Sequence, residues 1–276
     1  MTRRLVLLAA FVCYTSAAAL FQVPEAETLH KLAETPSKDV PSDAAALGYA
    51  VDFSVSASTT TLNCLKSGGY SVVFTRAYNP SGSGSFDRNS ATTIKNANTV
   101  GLGVEAYITP QPKSKTKTGA QQFVEVYQGL TSSGIVIRSA WIQVTSPANW
   151  YTNSTNVNFL LSMINQARQY GVAVGIYTSY SDWYTITSNY QGLPSDILVW
   201  YYNVYASGVT GESAPTYTDF RPFGTWKVPT VKQFAQVESV CQTTLNRNVY
   251  TPGIPALAES EVQKNKAPVV GGFIRQ

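Results

Sequence analysis

Gly48-Tyr49-Ala50-Val51-Asp52-Phe53-Ser54 is a short, mostly apolar run with strand-forming residues, and it ends on a carboxylate instead of a turn. Five further short apolar runs follow, each ending in a polar or aromatic cluster instead of a turn: residues 70–78 carrying Arg76, 104–109 carrying Glu105, then 140–145, 172–178 and 197–202. They recur about every 20 to 35 residues, with helix-spaced stretches between them. Such alternation reads as repeated βα units whose strand tips line one common pocket. The fold class expected is α/β, a single TIM-like (β/α) barrel, and function is to be sought at its rim.

Residues 1–19 hold two arginines, an unbroken apolar stretch at 5–13 and a small-residue end at Ala17-Ala18-Ala19. That is the layout of a cleavable secretory signal, its apolar core being too short to span a bilayer comfortably. A signal anchor is the alternative; the expectation is a soluble, secreted, extracellular protein with no membrane partner. Residues 20–46 carry Glu25, Glu27, Glu34, Asp39 and Asp43 without a clean period and read as a linker or pro-segment. Residues 47–250 suit one domain with a sizeable core. Residues 251–276 form a C-terminal extension that either packs on the barrel base or stays loose.

Cys13 leaves with the signal, so Cys64 and Cys241 remain for an oxidising compartment. A disulfide would tie the first helix to the last strand; two separate buried thiols are the alternative. Asn153-Ser154-Thr155 is a glycosylation sequon expected in a loop. The net charge of +4 includes basic residues of the signal and does not indicate nucleic-acid binding. Lys113, Lys115 and Lys117 mark a basic loop, read as a solvated loop or as an attractor of an anionic surface such as a bacterial wall.

The single histidine, His30, falls in the leader. This excludes Ser-His-Asp and Cys-His catalysis in the folded domain and makes a His- or Cys-built zinc site untenable, so no metal or cofactor is implied. Gly101-Leu102-Gly103-Val104-Glu105-Ala106 imitates a dinucleotide glycine pattern but enters a strand instead of leaving one. What remains for chemistry is carboxylates, amides, tyrosines (17 of them) and tryptophans, the equipment of a carbohydrate site. Trp200, Tyr201 and Tyr202 cannot all point inward, because side chains alternate along a strand, so at least one faces the mouth.

The stretches 50–54 (AVDFS), 101–112 (GLGVEAYITPQP), 141–147 (WIQVTSP), 175–178 (GIYT), 198–201 (LVWY) and 231–234 (VKQF) together carry a resemblance. Over about residues 48–250 the chain resembles nematode lysozyme-like proteins, which are similar to the amoebal lysozymes of glycoside hydrolase family 25. The resemblance implies a flattened (β/α) barrel that cleaves the muramic-acid linkage of peptidoglycan with acids at the strand tips. It also implies a Cys64–Cys241 pair, since both fall where that group has its cysteines. The family's first-strand aspartate matches Asp52, and Glu105 matches a third-strand acid of the amoebal relatives. The fourth-strand Asp-x-Glu pair reads Gln143 and Thr145 here, a change the nematode members share, and a late aspartate is replaced by Asn246.

Glycoside cleavage needs a proton donor and a group that supports an oxocarbenium-like state. On this reading Glu105 is the acid and Asp52 the stabiliser, with the substrate's own N-acetyl group available as nucleophile and Gln143 or Tyr177 orienting it. Glu105→Gln is then expected to abolish wall clearing and leave binding intact. Arg76, Tyr107, Gln143, Thr145, Tyr177, Trp200, Tyr202 and Asn246 are the candidates for sugar contact; an ion pair of Asp52 with Arg76 is the structural alternative. The expected partner is bacterial peptidoglycan or a related glycan, bound by a monomer. Three functions compete: a secreted muramidase in defence or digestion, a catalytically inactive glycan-binding pseudoenzyme, which Gln143 and Thr145 favour, and a purely structural secreted domain.

Overall fold

The computed structural model describes residues 47–252 and 267–271. The signal at 1–19, the linker or pro-segment at 20–46, Cys13 and His30 lie outside the described residues.

Each expected run is a strand. β1 (Gly48–Phe53), β2 (Tyr70–Asn79), β4 (Gly103–Ile108), β6 (Ser139–Gln143), β7 (Ala173–Thr178), β8 (Leu198–Tyr202) and β9 (Val231–Val240) pair in parallel in that order. β10 (Thr243–Tyr250) runs antiparallel to both β9 and β1 and closes an eight-stranded barrel. The short β3 (Ser85–Phe86) adds to β2 outside the ring. Helices α1 (Thr59–Ser67), α2 (Arg88–Val100), α3 (Gly119–Ser132), α4 (Asn153–Gln169) and α5 (Tyr180–Thr187) fill the connections.

Alternation along each strand sorts the side chains into two cores. Ala50, Val72, Phe74, Tyr107, Trp141, Tyr177, Trp200, Val231 and Tyr250 pack together inside the ring. Their neighbours Val51, Val73, Val104, Ile142, Ile176 and Val199 face outward onto helix residues such as Leu62, Ile94, Phe123 and Met163. Strands apolar on both faces are what a covered parallel barrel requires. The helices start and stop on local signals: Thr118 and Gln121 form a capping box before α3, and Gly101 ends α2 with φ 73°. The glycine pattern at 101–106 therefore leads from a helix into β4, as expected.

The last strand departs from the repeating pattern. Only Cys241 and Gln242 separate β9 from β10, and both have positive φ, 52° and 61°. That is two-residue hairpin geometry, and so short a link cannot carry a parallel crossover. Cys241 is bonded to Cys64 of α1 across a sequence separation of 177, with Cα atoms 5.9 Å apart. The expected disulfide is formed, and it clamps a left-handed turn made without glycine to the first helix.

Residues 267–271 of the C-terminal extension pack against the barrel instead of staying loose. β11 (Val269–Val270) pairs in parallel with β5 (Val136–Ile137), and Val270 is fully buried. Arg138 N donates to Val270 O at 2.8 Å, and Gly271 N donates to Val104 O at 2.9 Å. The sequon expected in a loop instead opens α4 at Asn153. In the basic loop, Lys113 donates to Ala148 O and Lys117 pairs with Glu125.

Replacing Cys64 and Cys241 by Ser is expected to lower the unfolding free energy by about 2–5 kcal/mol, because the unfolded chain regains the freedom of a long loop. Urea midpoints of the variant and of reduced wild type, which should coincide, check this.

Candidate active site

The C-terminal ends of the parallel strands share one rim, where a barrel of this kind carries its chemistry. Asp52, next to last in β1, points inward there and is 2% exposed. β10 lies beside it, and the alternation of Asn246 and Asn248 sends both amides inward. Asn248 Nδ2 and Gln233 Nε2 donate to Asp52 Oδ1 at 2.8 and 2.7 Å, and Asn246 Nδ2 donates to Oδ2 at 2.8 Å. Each amide is oriented by a second bond. Trp200 Nε1 donates to Asn248 Oδ1 at 2.9 Å, Tyr177 Oη donates to Gln233 Oε1 at 2.9 Å, and Val237 N donates to Asn246 Oδ1 at 3.0 Å. With their carbonyls occupied, all three amides must turn N–H toward the carboxylate.

Among the described residues the carboxylate is thus solvated by dipoles and not by a cation. Burial pushes the Asp52 carboxyl above its ordinary value, and the three amide donors hold it back only in part. The ion pair with Arg76, the structural alternative for Asp52, is not formed: Arg76 binds Asp87 through Nη2 at 2.8 Å and Nε at 2.9 Å, and Asp87 also caps α2. Tyr107 lies within the field of Asp52, Arg76 and Asp87, and its edge meets Trp200.

Glu105 is placed differently from the expectation. It is 1% exposed, and its Oε2 accepts from Ser139 Oγ at 3.1 Å and from Trp141 Nε1 at 3.0 Å. Ser139 opens β6 at the end away from the rim, so Glu105 sits in the barrel interior, held by β6, whereas Asp52 is held by β9 and β10. The reason lies in register: Tyr107, two residues on, takes the inward position nearer the rim.

Trp200 is also interior, fully buried with Tyr177 stacked on it at 4.0 Å. Tyr201 points outward to Asp219, and Tyr202 is the member of that trio at the mouth. Tyr202 Oη donates to Asp182 Oδ2 at 2.5 Å. Asn246 is spent on Asp52 and Val237.

A cleft of about 240 Å³ opens on the rim, lined by Pro80, Ser81, Thr109, Pro110, Gln111, Gln143, Thr145, Ser146, Asn149 and Trp150. Its floor is neutral and hydrogen-bonded: Thr109 Oγ1 donates to Gln143 Oε1 at 2.6 Å, and Gln143 Nε2 donates to Thr145 Oγ1 at 3.0 Å. Hydroxyls and an amide beside the Trp150 ring suit a sugar, and proton transfer near neutral pH is outside their reach. Gln233, Asn248 and Asp182 are site residues the sequence reading left out. The Asn-x-Asn spacing on a strand was the available signal for Asn248.

A closed α/β barrel with a buried carboxylate and a polar cleft at its rim is an architecture that hosts many chemistries, so its class is decided by likeness to known proteins. The profile of the lysozyme-like protein 1 family matches residues 43–234. Lysozyme-like protein 1 of Caenorhabditis elegans is 51% identical over 255 residues, covering 88% of this chain and 85% of that protein. A probable GH family 25 lysozyme of Dictyostelium discoideum is 30% identical over 203 residues, covering 72% and 89%. Among solved structures, a muramidase from Trichobolus zukalii superposes with a TM-score of 0.59 at 19% identity, covering 76% of this chain and 97% of that one. The chain belongs to the lysozyme-like protein family and is similar to the family 25 lysozymes of amoebae.

A carboxyl raised on folding costs stability once it ionises; for Asp52 the cost begins as pH rises past 3.8 and is complete above the raised folded value. The stability of Asp52→Asn relative to wild type is therefore expected to improve as pH increases. Urea unfolding of both proteins from pH 3 to 7 checks the sign.

Proposed function

We propose that this chain is a secreted lysozyme-type glycoside hydrolase acting on bacterial peptidoglycan, in antibacterial defence or digestion. One observation carries the reading: a buried carboxylate at the barrel rim, Asp52, kept without a counter-ion among the described residues and aimed by three amides. Cleaving a glycosidic bond puts positive charge on the sugar ring in the transition state. A preorganised, un-neutralised carboxylate is the group that lowers the energy of that charge, and it is costly to keep for any purely structural purpose. Membership of the lysozyme-like family and similarity to proteins named lysozymes support the same substrate class.

In this reading Asp52 is the stabiliser, and Gln143 and Thr145 contact the sugar. Glu105, the acid expected from the sequence, instead anchors the Trp141 indole in the interior. A second reading, an inactive glycan binder, is favoured by the neutral cleft floor alone.

Mature protein incubated with peptidoglycan, with reducing-end release and wall pull-down measured side by side, separates the two. Release is expected, and Asp52→Asn should reduce it on the order of 10²-fold or more while pull-down persists. Glu105→Gln, which keeps an acceptor for Trp141, should stay within about threefold of wild type. Pull-down without release would favour the binder.

A further inference from the structure

A hydrolase of this kind needs a carboxylic acid that can hold a proton beside the bond to be cut. Most described acids are committed elsewhere. Asp87, Asp196 and Asp219 face Arg76, Arg168 and Lys232, and Glu212 and Glu238 share Arg247. Asp52 is saturated with amide donors, and Glu105 lies in the interior.

Asp182 is different. It stands in the first turn of α5, at the rim end of β7, and is 7% exposed. An acid there ordinarily serves the helix N-terminus, but this side chain turns away from its own helix. Its Oδ2 accepts from Tyr202 Oη and, at 3.3 Å, from the backbone N–H of Ser146. Ser146 lines the cleft next to Thr145, so Asp182 is tied directly to the cleft wall. Both donors fall on one oxygen. Oδ1 accepts no hydrogen bond from the described residues and is not among the buried atoms left without a partner, so it reaches solvent. One oxygen locked and the other open is the geometry of a carboxyl that carries its proton outward.

Resting on the glycosidase reading above, we propose that Asp182 is the proton donor of the hydrolysis. Its Oδ1–H proton passes to the glycosidic oxygen as the bond from that oxygen to the anomeric carbon breaks, the bonding pair leaving with the oxygen. The ring's positive charge is supported by the Asp52 carboxylate. Water then adds its hydroxyl to the anomeric carbon, and its remaining proton returns to Asp182. Burial raises the Asp182 carboxyl above its ordinary value, and the Tyr202 and Ser146 donors pull it partly back. The groups facing it are Tyr202 from β8, with Tyr177 of β7 beyond it, and Ser146 from the loop after β6. Lys113, which bonds Ala148 O, is one of three lysines, with Lys115 and Lys117, of the loop across the cleft.

The test uses the mature protein and peptidoglycan. Asp182→Asn is expected to lower reducing-end release about 10²–10⁴-fold with wall pull-down kept, and Asp182→Glu to restore part of it. Tyr202→Phe, which removes a donor to the carboxylate and so raises its pKa further, should move the alkaline limb of the pH profile upward. This variant keeps the idea falsifiable if Asp182→Asn does not fold. Release by Asp182→Asn within threefold of wild type, or an unmoved alkaline limb in Tyr202→Phe, would overturn the assignment while leaving the glycosidase reading intact. Wild-type protein that releases nothing overturns both, and that is seen before any substitution is made.

Discussion

A carboxylate taken out of water must be solvated by something, and in this barrel Asp52 is solvated by three side-chain amides that come from a different part of the chain. Asn246 and Asn248 reach it because β10 inserts antiparallel between β9 and β1, and Gln233 reaches it from β9 on the far side of β10. The hairpin that permits this insertion is two residues long and conformationally unfavourable, and the Cys64–Cys241 bond clamps it. Ring closure, disulfide and carboxylate geometry are therefore one coupled arrangement.

Below the rim the ring is filled, not hollow. Trp200 sits at the centre with Tyr177 stacked on it and Phe74 at 4.5 Å, and Trp141 meets it edge-on. Trp141 needs a glycine opposite: a Cβ on Gly175 would lie 2.3 Å from its ring. The indole N–H of so deep a tryptophan must find an acceptor, and Glu105 supplies it. An acid at a strand position that reads as catalytic is thus accounted for by the hydrogen-bonding demand of the core. The seam beside it, where Val104 O receives Gly271 N, is covered by the C-terminal strand.

The barrel was legible because its strands are short, apolar on both faces and regularly spaced, a pattern that parallel strands covered by helices impose. The antiparallel eighth strand was not, since it depends on positive φ at Cys241 and Gln242, residues that do not advertise such a turn. At the site, Asp52 was legible as a carboxylate ending an inward-facing run. Its partners were not, because which amide faces which acid is decided by closure between segments nearly 200 residues apart. Arg76 misled for the same reason: as a lone cation near an acid it invites pairing, yet the N-cap Asp87, 11 residues on, is the shorter reach.

The cleft itself sharpens the chemical problem. Its floor, Thr109, Gln143 and Thr145, is a closed run of neutral hydrogen bonds, and a neutral floor positions a ligand without polarising it. Charge can then enter only from the walls. Asp52 is joined through Gln233 to Tyr177, whose ring meets Tyr202 at 6.0 Å, and Tyr202 binds Asp182, which bonds Ser146 at the cleft edge. The two acids raised by burial at the rim stand at opposite ends of that polar and aromatic arc. Among the described residues neither carboxylate is neutralised by a cation, and their different partner sets hold them in different environments, three amides for one and a phenol with a single backbone N–H for the other. Two acids held in unlike environments are able to differ in protonation at one pH, which is the condition for one to donate a proton while the other stays charged.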